Sequence, residues 1–241
     1  TKLFEPGKIT SPDGVKKVLA FLEPYKGYDH PTSKNHHVNI NSDDAYEEVA
    51  QRVIVQKMRI RLDHLSDLQN SDPEKYNKIK SQLVKLGTDL INQLRAPDML
   101  FNDPEDPENQ LEPSNWCLNI RNDDRVQGAL DFLARAEQGD DDTYNFVPSF
   151  DDRVIRDTLS KLPEYYRDKQ QRPTLHNQPE VKALVKKNFA AIKKFMTGFD
   201  KIFQAEGFVD LKKEIQSKNQ LDKRNKDFEK NVRQKALASF N

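Results

Sequence analysis

The feature that most limits what this chain can fold into is a helix stop and restart at Ser71-Asp72-Pro73-Glu74. Before it, from an opening at Ser42-Asp43-Asp44, the residues Tyr46, Val49, Val53, Met58 or Ile60, Leu62 and Leu65 recur close to the helical period. After it, Tyr76, Ile79, Leu83, Leu86, Leu90, Ile91 and Leu94 keep the same spacing until Pro97. An Asp at the cap followed by Pro at the first helical position suits a helix start, because Pro has no N–H to leave unpaired there. So short a connection makes two helices antiparallel neighbours. The spacing therefore predicts a helical hairpin over 42–95, and with it an all-α chain built as an elongated multi-helix bundle.

The rest of the chain is punctuated in the same way. Eight glycines in 241 residues leave little for tight strand turns or phosphate-cradling loops. Ser11-Pro12-Asp13 opens a short helix, and the stretch around Gly27 and Pro31 reads as a loop. Segment 98–115 carries Asp103-Pro104-Glu105-Asp106-Pro107-Glu108, where proline and like charge both oppose regular structure. This acidic loop is the expected boundary between a helical subdomain at 1–97 and a second at 116–241. Asn122-Asp123-Asp124 and Ser149-Phe150-Asp151-Asp152 read as two further helix starts, ending near Gly139 and Pro163. Their shared Asp-Asp-Arg-Val is attributed to dipole-favoured acidic first turns rather than to duplication. A long helix follows from Pro179, closed by Gly207, and a thin apolar stripe continues to Leu237. The chain opens on Thr1 and ends on a helical pattern, so both ends are expected to be cuts inside a longer protein.

Composition narrows the function classes. The hydrophobic share is 35% and the charged share 32%, against about 45–50% and 25% in ordinary domains. That balance suits long helices with one buried stripe and broad solvated faces. The formal net charge is zero, which removes the global electrostatic case for nucleic acid. Locally, 98–142 holds thirteen acidic and three basic side chains, while 178–206 holds six basic and three acidic. A lone Cys117 forms no intrachain disulfide and fits a reducing, cytoplasmic compartment. No apolar run approaches the ~20 residues of a membrane span.

Several constellations invite chemistry. His30, His36, His37 and His64 fall close together with Asp43 and Asp44, and such a cluster can hold a divalent metal that activates water for phosphoester hydrolysis. The spacing does not match a helical ligand pair four residues apart with a carboxylate between, so a half-buried, hydrogen-bonded His64 is the expectation. Cys117 with His176 as base would need a thiolate-stabilising setting. The apolar run from Trp116 to Ile120 predicts a buried, inert thiol instead. Asp140-Asp141-Asp142 fails the calcium-loop pattern, since Asn145 and Asp151 stand where Gly and Glu are required. Gly-rich phosphate loops, the serine elbow and the kinase motifs are all missing from the sequence. No cofactor is expected.

The sharpest positive feature lies between Pro179 and Glu206. Leu184, Val185, Phe189, Ile192, Phe195, Met196, Phe199, Ile202 and Phe203 form one apolar face, and Lys182, Lys186, Lys187, Lys193, Lys194 and Lys201 occupy much of the rest. A basic amphipathic helix can lie on an anionic membrane or fill a partner's groove. In a chain this poor in apolar residues, the aromatic side is expected in the core and the lysines at the surface. Stretches such as Lys75-Tyr76-Asn77-Lys78-Ile79-Lys80 and Ser217-Lys218-Asn219-Gln220 give the whole chain a composition that resembles secreted effectors of Legionella-type intracellular bacteria. That resemblance implies delivery into a host cell, with a host protein or membrane as partner, and transfers no functional residue. The expected function is a non-catalytic interaction module that binds another protein. A metal-dependent helical phosphohydrolase and a peripheral membrane binder are the rivals.

Overall fold

A computed structural model describes residues 43–121, 124–140 and 143–209, together with 213, 217, 220, 221 and 223–230. Helix α1 (Asp43–Ser71) and helix α2 (Pro73–Leu94) are separated by Asp72 alone. The Asp72 carboxylate accepts from the Lys75 backbone N–H at 3.1 Å, with Pro73 at the first helical position. This cap satisfies one of the orphan donors of the new helix and turns the chain back on itself. The hairpin lies where the periodicity puts it.

α2 is the central helix. It buries Tyr76, Ile79, Leu83, Leu90, Ile91 and Leu94 at three- and four-residue steps. Helix α8 (Pro179–Ala205) runs antiparallel to it. Near one end Lys78 pairs with Glu206 at 2.7 Å, and in the middle Leu86 meets Gly198, whose absent side chain leaves room for the approach. Against another side of α2 lie helix α3 (Asp124–Gln138) and the helical stretch that follows it. Gly87 makes that contact possible, because an added Cβ would sit 3.1 Å from Phe150 and 3.3 Å from Val154.

That following stretch departs from expectation. The helix was expected to begin at Ser149. Instead α4 (Thr143–Ser149) continues without a break into a π-helical segment, Phe150–Arg156, then α5 (Asp157–Leu159) and α6 (Lys161–Gln171). Pro148 lies inside the run. It removes a donor and crowds the carbonyl four residues earlier, so the ladder resumes one residue wider. The widening carries Asp151 and Phe150 inward and buries both. A short α7 (Pro173–Asn177) then leads to α8.

Segment 98–115, expected as an irregular loop, contains a two-residue antiparallel pair, β1 (Phe101–Asn102) with β2 (Gln110–Leu111). Phe101 is buried edge-on against Trp116, with ring centroids 5.6 Å apart. Apart from this pair and an isolated bridge between Arg95 and Ile120, the regular structure of the described residues is helical. The fold is all-α and multi-helix. No helix among the described residues is long and apolar enough to cross a membrane.

A chain of phenylalanines runs through the core, from Phe132 to Phe146, Phe150 and Phe199, then Phe203 and Phe208, with successive centroids 5.5–6.4 Å apart. Cations sit along it, with Arg153 over Phe132, Lys80 over Phe146, and Arg61 over both Phe203 and Phe208. Arg61 is fully buried and donates to the Asp200 carboxylate at 3.1 Å and to the Val209 carbonyl at 2.6 Å. It thereby ties α1 to the end of α8 and to the segment beyond it.

The glycines give this packing a direct test. Gly87→Val is expected to lower stability by about 1–3 kcal/mol through overpacking. Gly128→Ala, where a Cβ meets nothing within 4 Å in mid-α3, is expected to raise stability by up to about 1 kcal/mol through helix propensity. Urea unfolding midpoints of the two variants should move in opposite directions.

Candidate functional site

The surface that carries the lysines is fixed from below by a buried polar staple. A 3-10 turn at Asn115–Cys117 closes with two backbone bonds, Asn119 N–H to the Ser114 carbonyl and Leu118 N–H to the Asn115 carbonyl, both 3.0 Å. This is the Schellman closure, which normally places Gly in the left-handed position. Here Leu118 takes it, at φ 61°, with its side chain 1% exposed. The left-handed strain costs roughly 1–2 kcal/mol, and burying the leucine offsets it by about 1.5–3 kcal/mol. The turn aims Asn119 at the end of α2, where its amide donates to the carbonyls of Leu94 at 3.0 Å and Arg95 at 2.9 Å. Asn188 of α8, fully buried, donates to the Asn119 side-chain oxygen and to the Cys117 carbonyl at 3.2 Å. One amide pair thus joins α2, the Trp116 turn and α8.

With that face anchored, α8 has a fixed rotation. Its buried residues Val181, Leu184, Val185, Asn188, Ala191, Ile192, Phe195, Phe199 and Phe203 fall within an arc of about 120° at 3.6 residues per turn. Lys182, Lys186, Lys187, Lys193, Lys194 and Lys201 are all exposed and fall within a separate arc of about 140°. Asp200 stands at the edge of that arc and is engaged by Arg61. Among the described residues, none of the six lysines forms an ion pair. Lys193, Lys194 and Lys201, with Ala190, Thr197 and Gly198, form one open patch of the α8 surface. The expected division between an aromatic core side and a lysine surface is what the helix has.

The cysteine site is a packing site. Cys117 is fully buried, and its thiol donates to the Ser114 carbonyl at 3.2 Å. Burial pushes its pKa up to about 12, so the thiolate needed for attack does not form near neutral pH. His176 is engaged elsewhere, with its Nε2 2.8 Å from an Asp168 oxygen and its ring held edge-on between Trp116 and Tyr165. Arg172 donates to the other Asp168 oxygen and lies over Trp116. Burial alone would raise the Asp168 pKa. The hydrogen bonds and charges of His176 and Arg172 outweigh it and hold the carboxyl below the ordinary carboxylate range.

Of the residues considered for a metal, His30, His36 and His37 lie outside the described residues. Asp43 and Asp44 begin α1, and their side chains are likewise outside the description. His64 is half-buried on α1 and stacks on Phe208, with centroids 5.5 Å apart. Among the described residues, no group of three or more His, Cys, Asp or Glu side chains is arranged to hold a metal ion.

One feature had no sequence signal. Arg121, Arg125, Arg153 and Lys161 come from two stretches of chain, 121–125 and 153–161, and border a single cavity. Only the helix packing described above brings them together. Comparison of the chain with family models, with curated proteins and with solved structures finds no match.

Two measurements check this chemistry. At pH 8 the Cys117 thiol of the folded protein should resist an aromatic disulfide reagent, and react fully once denaturant is added. The depressed Asp168 carboxyl contributes stability above its unfolded-state value, and that contribution disappears as pH falls through the lower folded-state value. Asp168→Asn is therefore expected to cost about 1.5–3 kcal/mol at neutral pH. Its deficit relative to the parent chain should shrink on acidification below about pH 4, as read by thermal unfolding.

Proposed function

We propose that this chain is a non-catalytic helical interaction module, whose lysine face on α8 docks an acidic surface of another protein inside a cell. The observation that carries this reading is the six exposed lysines gathered on one side of a helix whose other side is locked into the core. A face held on a packed helix loses little conformational freedom on binding, which lowers the cost of association. Like charges held at one surface steer an oppositely charged partner and favour it over neutral ones. The compositional resemblance to host-delivered effectors would make that partner a host protein and the chain one module of a larger effector.

The test replaces Lys186, Lys187, Lys193 and Lys194 with alanine. Titration calorimetry with a glutamate-rich peptide should show saturable, salt-sensitive binding to the parent chain, weakened about tenfold or more in the variant. The unfolding midpoint should stay unchanged, because these side chains are exposed. Equal binding by both proteins, or binding to anionic vesicles but not to the peptide, would remove this reading.

A further inference from the structure

The cavity bordered by Arg121, Arg125, Arg153 and Lys161 shares no lining residue with the lysine patch of α8. Its volume is about 120 Å³. Its apolar floor is Ile91 of α2, Ile120, and Val126 and Ala129 of α3, all buried. The four cations come from four elements. Arg121 leaves the end of the Trp116 turn segment, Arg125 lies in the first turn of α3, Arg153 lies in the π-helical segment, and Lys161 begins α6. Asp157 is the only carboxylate residue lining the cavity among the described residues, and the hydroxyl residues Ser114, Thr158 and Ser160 line it too.

We infer that this cavity binds the phosphomonoester head group of a small soluble molecule. Three properties of the walls support that class. Three guanidinium groups and one ammonium border a single opening, and the guanidinium fork matches phosphate oxygens with paired donors. The hydroxyl residues Ser114, Thr158 and Ser160 on the same walls add further donors of the kind a phosphate accepts from. The third property is size. Sites that enclose a whole drug-sized ligand measure roughly 300–1,000 Å³, so this cavity takes a head group and its first carbons, with the apolar floor under the carbons. The cations are also held in place. Arg153 lies over the Phe132 ring, Lys161 donates to the Asp157 backbone carbonyl at 2.6 Å, and Arg121 pairs with Glu112 across an exposed contact that a phosphate can displace.

The experiment is titration calorimetry of the whole chain with glycerol phosphate, repeated with acetate. The expected result is saturable one-to-one binding of glycerol phosphate, at least about tenfold tighter than acetate. The double variant Arg121→Gln with Arg125→Gln, both exposed and away from the core, should weaken it about tenfold or more. Arg153→Gln should do the same, and Lys193→Gln with Lys194→Gln on α8 should leave it unchanged. No saturable binding up to about 10 mM glycerol phosphate overturns the inference. So does binding that survives both arginine variants, or binding that follows the α8 lysines.

Discussion

The amide pair of Asn119 and Asn188 is the interaction on which the arrangement depends. The last carbonyls of a helix have no partner within it. At the end of α2 the bond to the Leu94 carbonyl is buried and the one to the Arg95 carbonyl half-buried. Asn119 supplies the missing donors, and the Ile120 backbone N–H adds another to Leu94 at 2.6 Å. Asn188 then makes the same group a contact of α8. Replacing Asn188 with an apolar side chain would take that donor from the buried Cys117 carbonyl and the Asn119 side-chain oxygen, a larger cost than the hydrogen bond itself is worth. The staple also explains a local oddity. A leucine occupies the left-handed position at 118 because the turn must both close there and keep its apolar content inside.

The other end of the molecule is held by a charge. Arg61 is buried among Phe203 and Phe208, and its guanidinium reaches Asp200 and the Val209 carbonyl. A buried arginine is retained at a cost unless its donors are met, and here an aromatic face, a carboxylate and a carbonyl meet them. α8 itself closes with a Schellman pair at Gly207, φ 86°, which folds Phe208 back onto Phe203. α8 is therefore fastened to α2 at one end by neutral amides and to α1 at the other by an ion pair in an aromatic setting.

The sequence made the helix ends legible because each end has a local chemical signature. Asp72 with Pro73, Gly139 and Gly207 all act where periodicity and capping put them. The lysine side of α8 was legible for the same reason, since one helix contains the whole pattern. The start assigned to Ser149 failed because Ser-Phe-Asp-Asp satisfies the rules for a first turn equally well in the middle of a widened helix, and only the neighbouring Pro148 hinted at the difference. Leu118 and Arg61 were illegible. One is a residue type that ordinarily avoids its backbone conformation, and the other a charge whose burial depends on groups 139 and 148 positions away. The arginine-bordered cavity was hidden for a stronger reason: its cations lie in two stretches, 121–125 and 153–161, that meet only through tertiary packing.

Energetics decide which side of α8 is open to a partner. Its core face buries seven Val, Leu, Ile and Phe side chains, each worth about 1.5–3 kcal/mol. Entering a bilayer would keep these side chains out of water, but it would bare the apolar surface they cover on the rest of the core, an exposure of comparable size set against the roughly 5–15 kcal/mol that holds a whole domain folded. The Asn188 bonds would break as well, leaving Asn119 and the Cys117 carbonyl short of a partner in the interior. Binding through the aromatic side would therefore amount to unfolding. Binding through the lysine side disturbs no packed group and gains from charges that no described neighbour neutralises. The acidic segment 98–115 does not compensate them: Glu112 is spent on Arg121. Asn102, in β1, reaches the start of α8 only through its backbone carbonyl, which accepts from Gln178 at 3.0 Å.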